Sequence, residues 1–165
     1  MSKSKNKVTL AVYPNTFGIG FVICSGPKDI IDFGLKRIKT RTTKDYRKKL
    51  DWLFDYCKPD IVLVQDYPSS NRIVSKRTHK FIEELKTKAK AKQLTIHSYT
   101  REQIKHVFSA FNAQSKYEIA MHILGWYPIL EPRKPSPRTA WMSEHYQMGV
   151  FDAFSVMLTH YYLSN

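Results

Sequence analysis

The first part of the chain alternates short apolar runs with turn residues, a pattern typical of β-strands joined by hairpins. Apolar and β-branched residues at 8–12, 18–24 and 30–36 predict three strands. A Tyr-Pro-Asn turn at 13–15 and a Ser-Gly-Pro turn at 25–27 separate them. Because these connections are short, the sequence predicts that the chain opens with an antiparallel meander.

Beyond the meander the apolar period changes from two to about 3.6 residues, which is typical of amphipathic helices. Helices are predicted over residues 44–57 and 73–91, and a continuous apolar run, Ile61 to Gln65, lies between them. A strand that does not alternate is covered on both faces of its sheet, so we predict that this strand is central. Another strand is predicted over residues 94–99.

Two further helices begin with a capping box, in which Ser or Thr is followed three residues later by Glu or Gln. Thr100 with Gln103 predicts one start, and Ser115 with Glu118 predicts the other. Gly125 is predicted to end the second of these helices as its C′ residue.

Residues 126–148 differ from the rest of the chain because they are rich in proline, basic and aromatic residues. We predict a long ordered loop here, followed by a helix over residues 149–163. The order of elements predicts an α/β fold of three antiparallel strands, then parallel strands, with helices on both faces of the mixed sheet. No domain boundary is visible, so residues 1–165 are predicted to form a single domain with a flexible basic tail at 1–7.

The composition adds a strong electrostatic signal. The chain has 165 residues with 27 Lys and Arg against 14 Asp and Glu, a formal net charge of +13. Such an excess repels itself in a compact fold and is offset when a polyanion binds, although a basic protein without such a partner is the alternative. We expect a cytoplasmic protein that does not span a membrane, since no long apolar segment or secretory leader is present and the two cysteines lie far apart.

Basic residues cluster in three places where they can contact phosphates. One group follows the third predicted strand, another begins the helix at 73–91, and the last lies in the proline-rich loop beside aromatic residues. The predicted nucleic-acid-binding residues are Arg37, Lys39, Arg41, Lys76, Arg77, Lys80, Arg133, Lys134 and Arg138. An ordinary solvated face is the alternative for the helix, and aromatic anchoring to the core is the alternative for the loop.

Several short motifs occur in a fixed order along the chain. They are a strand running into a Tyr-Pro-Asn turn, a Gly-rich strand, Pro-Asp before an apolar strand, a strand with a following helix and lysine turn, and an Asp-Ala pair in the last helix. The stretches are 10–15, 18–23, 59–66, 99–105, 112–116 and 149–153. Their order and spacing resemble the RuvC-type Holliday junction resolvases, whose fold is RNase H-like.

This resemblance implies cleavage of nucleic acid by two divalent metals, which four carboxylates hold so that they stabilise the attacking and leaving oxygens of a phosphodiester. At three of the four carboxylate positions this chain has another residue: Tyr13, Gln65 and Gly149. Only Asp152 matches a family carboxylate. Lys116 matches a family lysine that lies near the scissile phosphate.

Three functions are therefore compatible with the sequence, and the third is a non-enzymatic assembly subunit, because RuvC relatives commonly dimerise. The first is a RuvC-like nucleic-acid-binding protein whose nuclease activity is lost or weakened, with no cofactor. The alternative is an active endonuclease on structured or branched DNA, in which Asp66, Glu144 and Asp152 form a rearranged site for Mg²⁺ or Mn²⁺. Without catalysis, Asp66 is a turn residue, Glu144 and Asp152 are acids at a helix start, and Lys116 is a solvated first-turn lysine.

The expected partner follows from both the charge and the resemblance. We expect nucleic acid, with DNA favoured over RNA, and no membrane. A homodimer stays open as well, because RuvC relatives commonly dimerise.

Overall fold

The structure is a computed structural model, and it describes residues 6–15, 17–40, 42–67, 76–137 and 147–164. The strands are β1 (Thr9–Asn15), β2 (Gly18–Gly26), β3 (Asp29–Arg37), β4 (Ile61–Gln65) and β5 (Thr95–Tyr99). The α-helices are α1 (Thr43–Cys57), α2 (Lys76–Ala91), α3 (Arg101–Ser109), α4 (Lys116–Trp126) and α5 (Met148–Leu163), and a 3-10 helix covers Pro128–Arg133. No helix in these described ranges is both long and apolar enough to cross a membrane.

The five strands form one mixed sheet in the spatial order β3-β2-β1-β4-β5. The pairs β1–β2 and β2–β3 are antiparallel, whereas β1–β4 and β4–β5 are parallel. The predicted mixed sheet of antiparallel and then parallel strands is therefore confirmed. Because β3 runs in the same direction as β1, β4 and β5, four strands end at one side of the sheet, which we call the carboxyl edge.

Helices cover both faces of the sheet, and each face has its own hydrophobic core. On the α2 face, α1 and α2 pack against side chains such as Val12 and Val62. On the α5 face, α3, α4 and α5 pack against side chains such as Ala11 and Leu63. Successive residues of β4 therefore enter opposite cores, which explains why its apolar run shows no alternation and confirms that the strand is central.

The first turn of α5 touches the sheet where two glycines meet. A Cβ atom on Gly20 of β2 would lie 2.1 Å from the carbonyl oxygen of Gly149. A Cβ atom on Gly149 would lie 2.7 Å from Nδ2 of Asn15. Because neither residue has a side chain, α5 can lie directly on β2, and this contact sets the position of Asp152 about one turn further along the helix.

The end of β1 differs from its prediction. The strand continues through Tyr13 and Pro14 to Asn15, so the predicted turn at 13–15 is wrong. β4 pairs with β1 only as far as Val12, so Pro14 lies where the strand has an open side and its missing N–H breaks no ladder on that side. The turn follows directly, and Oδ1 of Asn15 accepts hydrogen bonds from the backbone N–H groups of Phe17 and Gly18.

Two predictions about helix ends have different outcomes. Both capping boxes, at Thr100 and at Ser115, are confirmed. Gly125, however, does not end its helix, because α4 continues to Trp126 and the backbone N–H of Tyr127 still bonds to Ile123.

The proline-rich segment is only partly the loop that the sequence predicts. Its first part forms the 3-10 helix Pro128–Arg133, in which the side chain of Leu130 is fully buried. Proline at the start of this turn has no N–H group to satisfy, so it fits the helix start. Residues 138–146 of the predicted loop lie outside the described residues.

One titratable group is buried beside the open edge of β5. His160 of α5 is 7% exposed, and its Nδ1 lies 2.6 Å from the hydroxyl oxygen of Tyr99. The His97 and Tyr161 rings lie 5.1 and 5.2 Å from the His160 ring, measured between centroids. Burial, and then the neighbouring His97, lower the pKa of His160.

This lowered pKa predicts that acid destabilises the protein through His160. The unfolded chain takes up the His160 proton near its ordinary pKa of about 6.5, while the folded protein resists protonation to a lower pH. The free energy of unfolding should therefore fall as the pH drops from about 7 through about 6.5 and below, and His160→Gln should flatten that fall. Urea denaturation across this range measures it, with His106→Gln on the exposed side of α3 as the control. Equal pH slopes in the wild type and His160→Gln would contradict the prediction.

Candidate nucleic-acid interface

The candidate site lies at the carboxyl edge, on the α5 face. Tyr13 of β1 and Gln65 of β4 stand in one row across the sheet, because each directly follows the last residue pair that joins the two strands. Gln65 pairs with Tyr99 of β5 in the same row. Tyr13 and Tyr99 belong to the core of the α5 face, and strand alternation from Leu63 places Gln65 there too.

Lys116 is the central cation of this site. It is the first residue of α4, which the Ser115 cap starts at this position. Its ammonium group donates a hydrogen bond to the hydroxyl oxygen of Tyr13 at 3.1 Å and lies 3.3 Å from Oδ2 of Asp152. The same ammonium lies 4.9 Å from the centroid of the Tyr13 ring. One cation therefore joins α4, β1 and α5.

Tyr13 is the residue that the resemblance aligns with the family's first aspartate, and it is a neutral phenol. Burial, and then the negative charge of Asp152, raise the pKa of Tyr13 far above its ordinary value, while Lys116 acts in the opposite direction. The Tyr13 hydroxyl lies 3.1 Å from that of Tyr67, within hydrogen-bonding distance. Tyr13 thus contributes a hydrogen-bonding group and a filled volume, but no negative charge.

A second cation, Arg101, stands near Tyr67. Burial raises the pKa of Tyr67, against the hydrogen bond to Tyr13 and the positive charges of Lys116 and Arg101. Arg101 is the first residue of α3 and directly follows the Thr100 cap at the end of β5. The site therefore has a cation on each of two neighbouring helix starts.

Asp66 is held on the opposite face of the sheet. Its Oδ2 accepts a hydrogen bond from the ammonium of Lys86 on α2 at 2.8 Å, and its Oδ1 accepts one from the backbone N–H of Tyr67 at 2.9 Å. The two carboxylates expected to converge, Asp66 and Asp152, are therefore held by two lysines on opposite faces. Their separation follows from strand geometry, because Asp66 is adjacent to Gln65, which faces α5.

The resemblance implies a two-metal site, and the donor atoms of the described residues do not fit one. Mg²⁺ and Mn²⁺ favour several carboxylate or carbonyl oxygens. The described part of the chain contains no group of three or more Asp, Glu, His or Cys residues that could hold a metal ion. Asp152 is the residue that the resemblance aligns with a family carboxylate, and an ammonium group already lies beside it. Glu144 of the predicted rearranged site lies outside the described residues.

Basic residues predicted to contact nucleic acid flank this cluster. Arg37 ends β3 at the carboxyl edge, and Lys39 follows two residues later. α2 begins near the same edge, since the ring of His79 in its first turn lies 6.3 Å from the Tyr67 ring. The exposed members of the predicted set are Arg37, Lys39, Lys76, Arg77, Lys80 and Lys134. Arg41 and Arg138 lie outside the described residues.

Arg133 differs from the other predicted binding residues because its side chain is half-buried. It donates a hydrogen bond to Oε1 of Gln147 at 2.7 Å, and its guanidinium carbon lies 5.5 Å from the centroid of the Phe33 ring. Gln147 is the residue directly before α5. Arg133 therefore ties the 3-10 helix to the start of α5, a structural contact that the sequence did not predict.

Three residues of the site were not identified from the sequence: Asn15, Tyr67 and Arg101. Arg101 had a usable signal, because it directly follows a strand that ends at the same edge as β4. Tyr67 directly follows Asp66 at the end of β4, and no pattern in the sequence links it to Tyr13. Nδ2 of Asn15 is buried and has no hydrogen-bond partner within the described ranges.

Three solved structures are similar to this chain along most of its length. Thermus thermophilus RuvC matches with a TM-score of 0.66 and 14% identity, covering 95% of this chain and 95% of that one. T. thermophilus RuvC in complex with a Holliday junction substrate matches with a TM-score of 0.66 and 15% identity, covering 96% and 94%. The yeast mitochondrial Holliday junction resolvase matches with a TM-score of 0.62 and 12% identity, covering 96% and 81%.

No protein-family model and no curated protein matches the sequence. The structural similarity nevertheless confirms the predicted α/β fold of the RNase H-like type and its resemblance to RuvC-type resolvases at the level of the fold. At 12–15% identity the shared fold does not carry the activity with it. The function therefore has to be argued from the side chains at the carboxyl edge.

Proposed function

We propose that this protein binds branched DNA at the carboxyl edge and does not cleave it by a two-metal reaction. The proposal rests chiefly on one observation: the ammonium of Lys116 contacts both Tyr13 and Asp152, two residues that the resemblance aligns with family carboxylates. A cation therefore lies beside positions at which the resemblance implies acids that hold metals. These surroundings suit a phosphate, whereas the donor atoms of the described residues do not suit a metal ion.

The fold and the charge both support DNA as the partner. One of the similar structures is T. thermophilus RuvC bound to a Holliday junction substrate. Exposed Arg37, Lys39, Lys76, Arg77 and Lys80 lie at or near the same edge of this chain. Basic side chains on one edge of a domain form the electrostatic footprint expected of a nucleic-acid-binding surface.

The loss of cleavage follows from what an ammonium group can do. Two metal ions promote phosphodiester hydrolysis by lowering the pKa of a bound water and by stabilising both the attacking and leaving oxygens. Lys116 can neutralise a phosphate oxygen, but it has no coordination position at which to bind and activate water. Tyr13, as a buried neutral phenol, does not supply a general base.

We expect a fluorescently labelled four-way DNA junction to bind with a steep dependence on salt. About five phosphate contacts predict a slope near −4.5 in log affinity against log salt, or about a 500-fold loss between about 50 mM and about 200 mM salt. Fluorescence anisotropy at several salt concentrations measures this slope. A triple variant, Lys76→Met with Arg77→Met and Lys80→Met, should reduce its magnitude by about 2 to 3.

Lys90→Met is the matched control for these variants. Lys90 is exposed and lies near the other end of α2, so its removal should leave the salt slope almost unchanged. Absent binding, or binding that does not respond to salt, would contradict the proposed DNA interaction. Cleavage of the junction in Mg²⁺ or Mn²⁺ that disappears in Asp152→Asn would contradict the proposed loss of activity.

A further inference from the structure

We infer that the ammonium group of Lys116 replaces the divalent cation at the carboxyl edge, so that this edge binds a DNA phosphate without any metal. In this arrangement Asp152 is the counter-ion of Lys116 and not a metal ligand. The inference rests on the proposed DNA binding and deepens it, because it names the group that meets the phosphate.

The depth of the two charged groups supports this arrangement. The side chain of Asp152 is 6% exposed, whereas that of Lys116 is 28% exposed. The carboxylate is therefore more deeply buried than the lysine side chain, which is the more accessible of the two to a phosphate.

The position of the ammonium also opposes a metal at Asp152. Mg²⁺ binds carboxylate oxygens at about 2.0–2.1 Å and keeps several of its own water molecules. The Lys116 nitrogen lies 3.3 Å from Oδ2 of Asp152, so a metal ion on that oxygen would be brought close to a positive charge. Repulsion between the two cations favours the ammonium, which is covalently part of the chain and is held by a second hydrogen bond to Tyr13.

Tyr13 removes the space that a hydrated ion would need. Its side chain is 6% exposed, and its hydroxyl is fixed between Lys116 and Tyr67. At the other side of the site the first turn of α5 lies directly on β2 through Gly20 and Gly149. A Cβ atom at 149 would lie 2.7 Å from Nδ2 of Asn15, so an aspartate there would require the Asn15 side chain to move.

The charge of the cluster is suited to a phosphate without help from an ion. Lys116 and Arg101 contribute two positive charges, and Asp152 contributes one negative charge, so the described residues of the cluster have a net charge of +1. A cluster of four carboxylates without metal ions would instead have a negative charge, which opposes a phosphate at that point. Binding here should therefore not require a divalent cation.

Direct metal binding is the first test, and it needs only the wild-type protein. We expect a titration with Mn²⁺, followed by the electron paramagnetic resonance signal of the free ion, to match a titration of buffer alone. Saturable binding of Mn²⁺ that is lost in Asp152→Asn would overturn the inference. This result would leave the proposed DNA binding standing, so the two claims are separable.

Junction binding with and without Mg²⁺ is the second test. At matched ionic strength, the dissociation constant of a four-way junction should agree within about twofold between EDTA and Mg²⁺. Lys116→Met should weaken binding by about tenfold and reduce the magnitude of the salt slope by about 1. Asp152→Asn should bind the junction as tightly as the wild type or up to about fivefold more tightly, because it frees Lys116 from its counter-ion.

The outcomes of the two tests decide between the alternatives. Junction binding that requires Mg²⁺, or that weakens in Asp152→Asn, overturns the inference but not the proposed DNA binding. Absent junction binding under both conditions contradicts the proposed function, and the Mn²⁺ titration then decides whether the ammonium has displaced the metal. If Lys116→Met fails to fold, the wild-type titration and Asp152→Asn decide the matter, with Lys90→Met as the control for general loss of charge.

Discussion

Gly20→Ala is expected to lower the free energy of unfolding by about 3 kcal/mol or more, because its new methyl group would overlap backbone atoms of Gly149. The Cβ atom would lie 2.1 Å from the carbonyl oxygen and 2.2 Å from the carbonyl carbon of Gly149. These are backbone atoms in the first turn of α5, so they cannot rotate away as a side chain would. Relief requires α5 to lift from β2, and α5 contributes much of the core on that face.

Gly125→Ala is the matched control for this prediction. Gly125 lies inside α4, and a Cβ atom there would meet no neighbouring atom within 4 Å. Alanine is the better helix former, so the free energy of unfolding should rise by about 0.5–1 kcal/mol. Urea denaturation of both variants measures the two effects, and similar values for the two would contradict the close contact of α5 with β2.

The contact of α5 with β2 links stability to function. Asp152 lies about one turn beyond Gly149, so lifting α5 also moves its carboxylate away from Lys116. Gly149, which the resemblance aligns with a family carboxylate, is thus part of the packing that positions Asp152. Gly20→Ala protein in which α5 has lifted should consequently bind DNA with a different salt slope from the wild type.

The sequence predicted the sheet well because its strands carry complete local signals. The continuous apolar run Ile61–Gln65 predicted a central strand, and both cores contact it as that prediction requires. The turn predicted at Tyr13–Asn15 was wrong because it relied on proline, which usually ends a strand. The strand continues because β4 pairs with only part of it, and the pairing partner of a strand is not a local property.

The site was less accessible because its contacts join distant parts of the chain. Family motifs pointed to Tyr13, Gln65, Gly149, Lys116 and Asp152, but their order said nothing about which groups touch. Lys116 and Asp152 are 36 positions apart in sequence, and no periodicity predicts their ion pair. Strand alternation places the adjacent residues Gln65 and Asp66 on opposite sides of the sheet, and the ion pair of Asp66 with Lys86 agrees with that geometry.

Tyr13→Asp restores a family carboxylate, and we expect it to destabilise the protein by about 3–5 kcal/mol. The substitution removes a large aromatic side chain that is 6% exposed and leaves a cavity in the core of the α5 face. It also places a second negative charge near Asp152, and one ammonium group must then neutralise both. Thermal or urea denaturation measures this loss.

Tyr13→Phe separates the two causes. It keeps the ring and removes only the hydroxyl that accepts from Lys116 and contacts Tyr67, so it should cost about 1 kcal/mol. The difference between the two variants then measures the cavity together with the added charge. Equal losses in Tyr13→Asp and Tyr13→Phe would mean that the hydroxyl, and not the volume or the charge, determines stability at this position.

The stability of Tyr13→Asp in the presence of Mn²⁺ then shows whether the metal site is lost or only blocked by the tyrosine. A carboxylate pair with access to Mn²⁺ would bind the ion, and ligand binding to the native state raises stability with metal concentration. We expect no such rescue of Tyr13→Asp, because Lys116 still stands beside Asp152 and repels the ion. Stabilisation by Mn²⁺ would instead mean that Tyr13 alone excludes the metal from the site. If Mn²⁺ does not stabilise the variant, Tyr13, Lys116 and Gly149 together exclude the metal, and the ammonium of Lys116 is the cation of this edge.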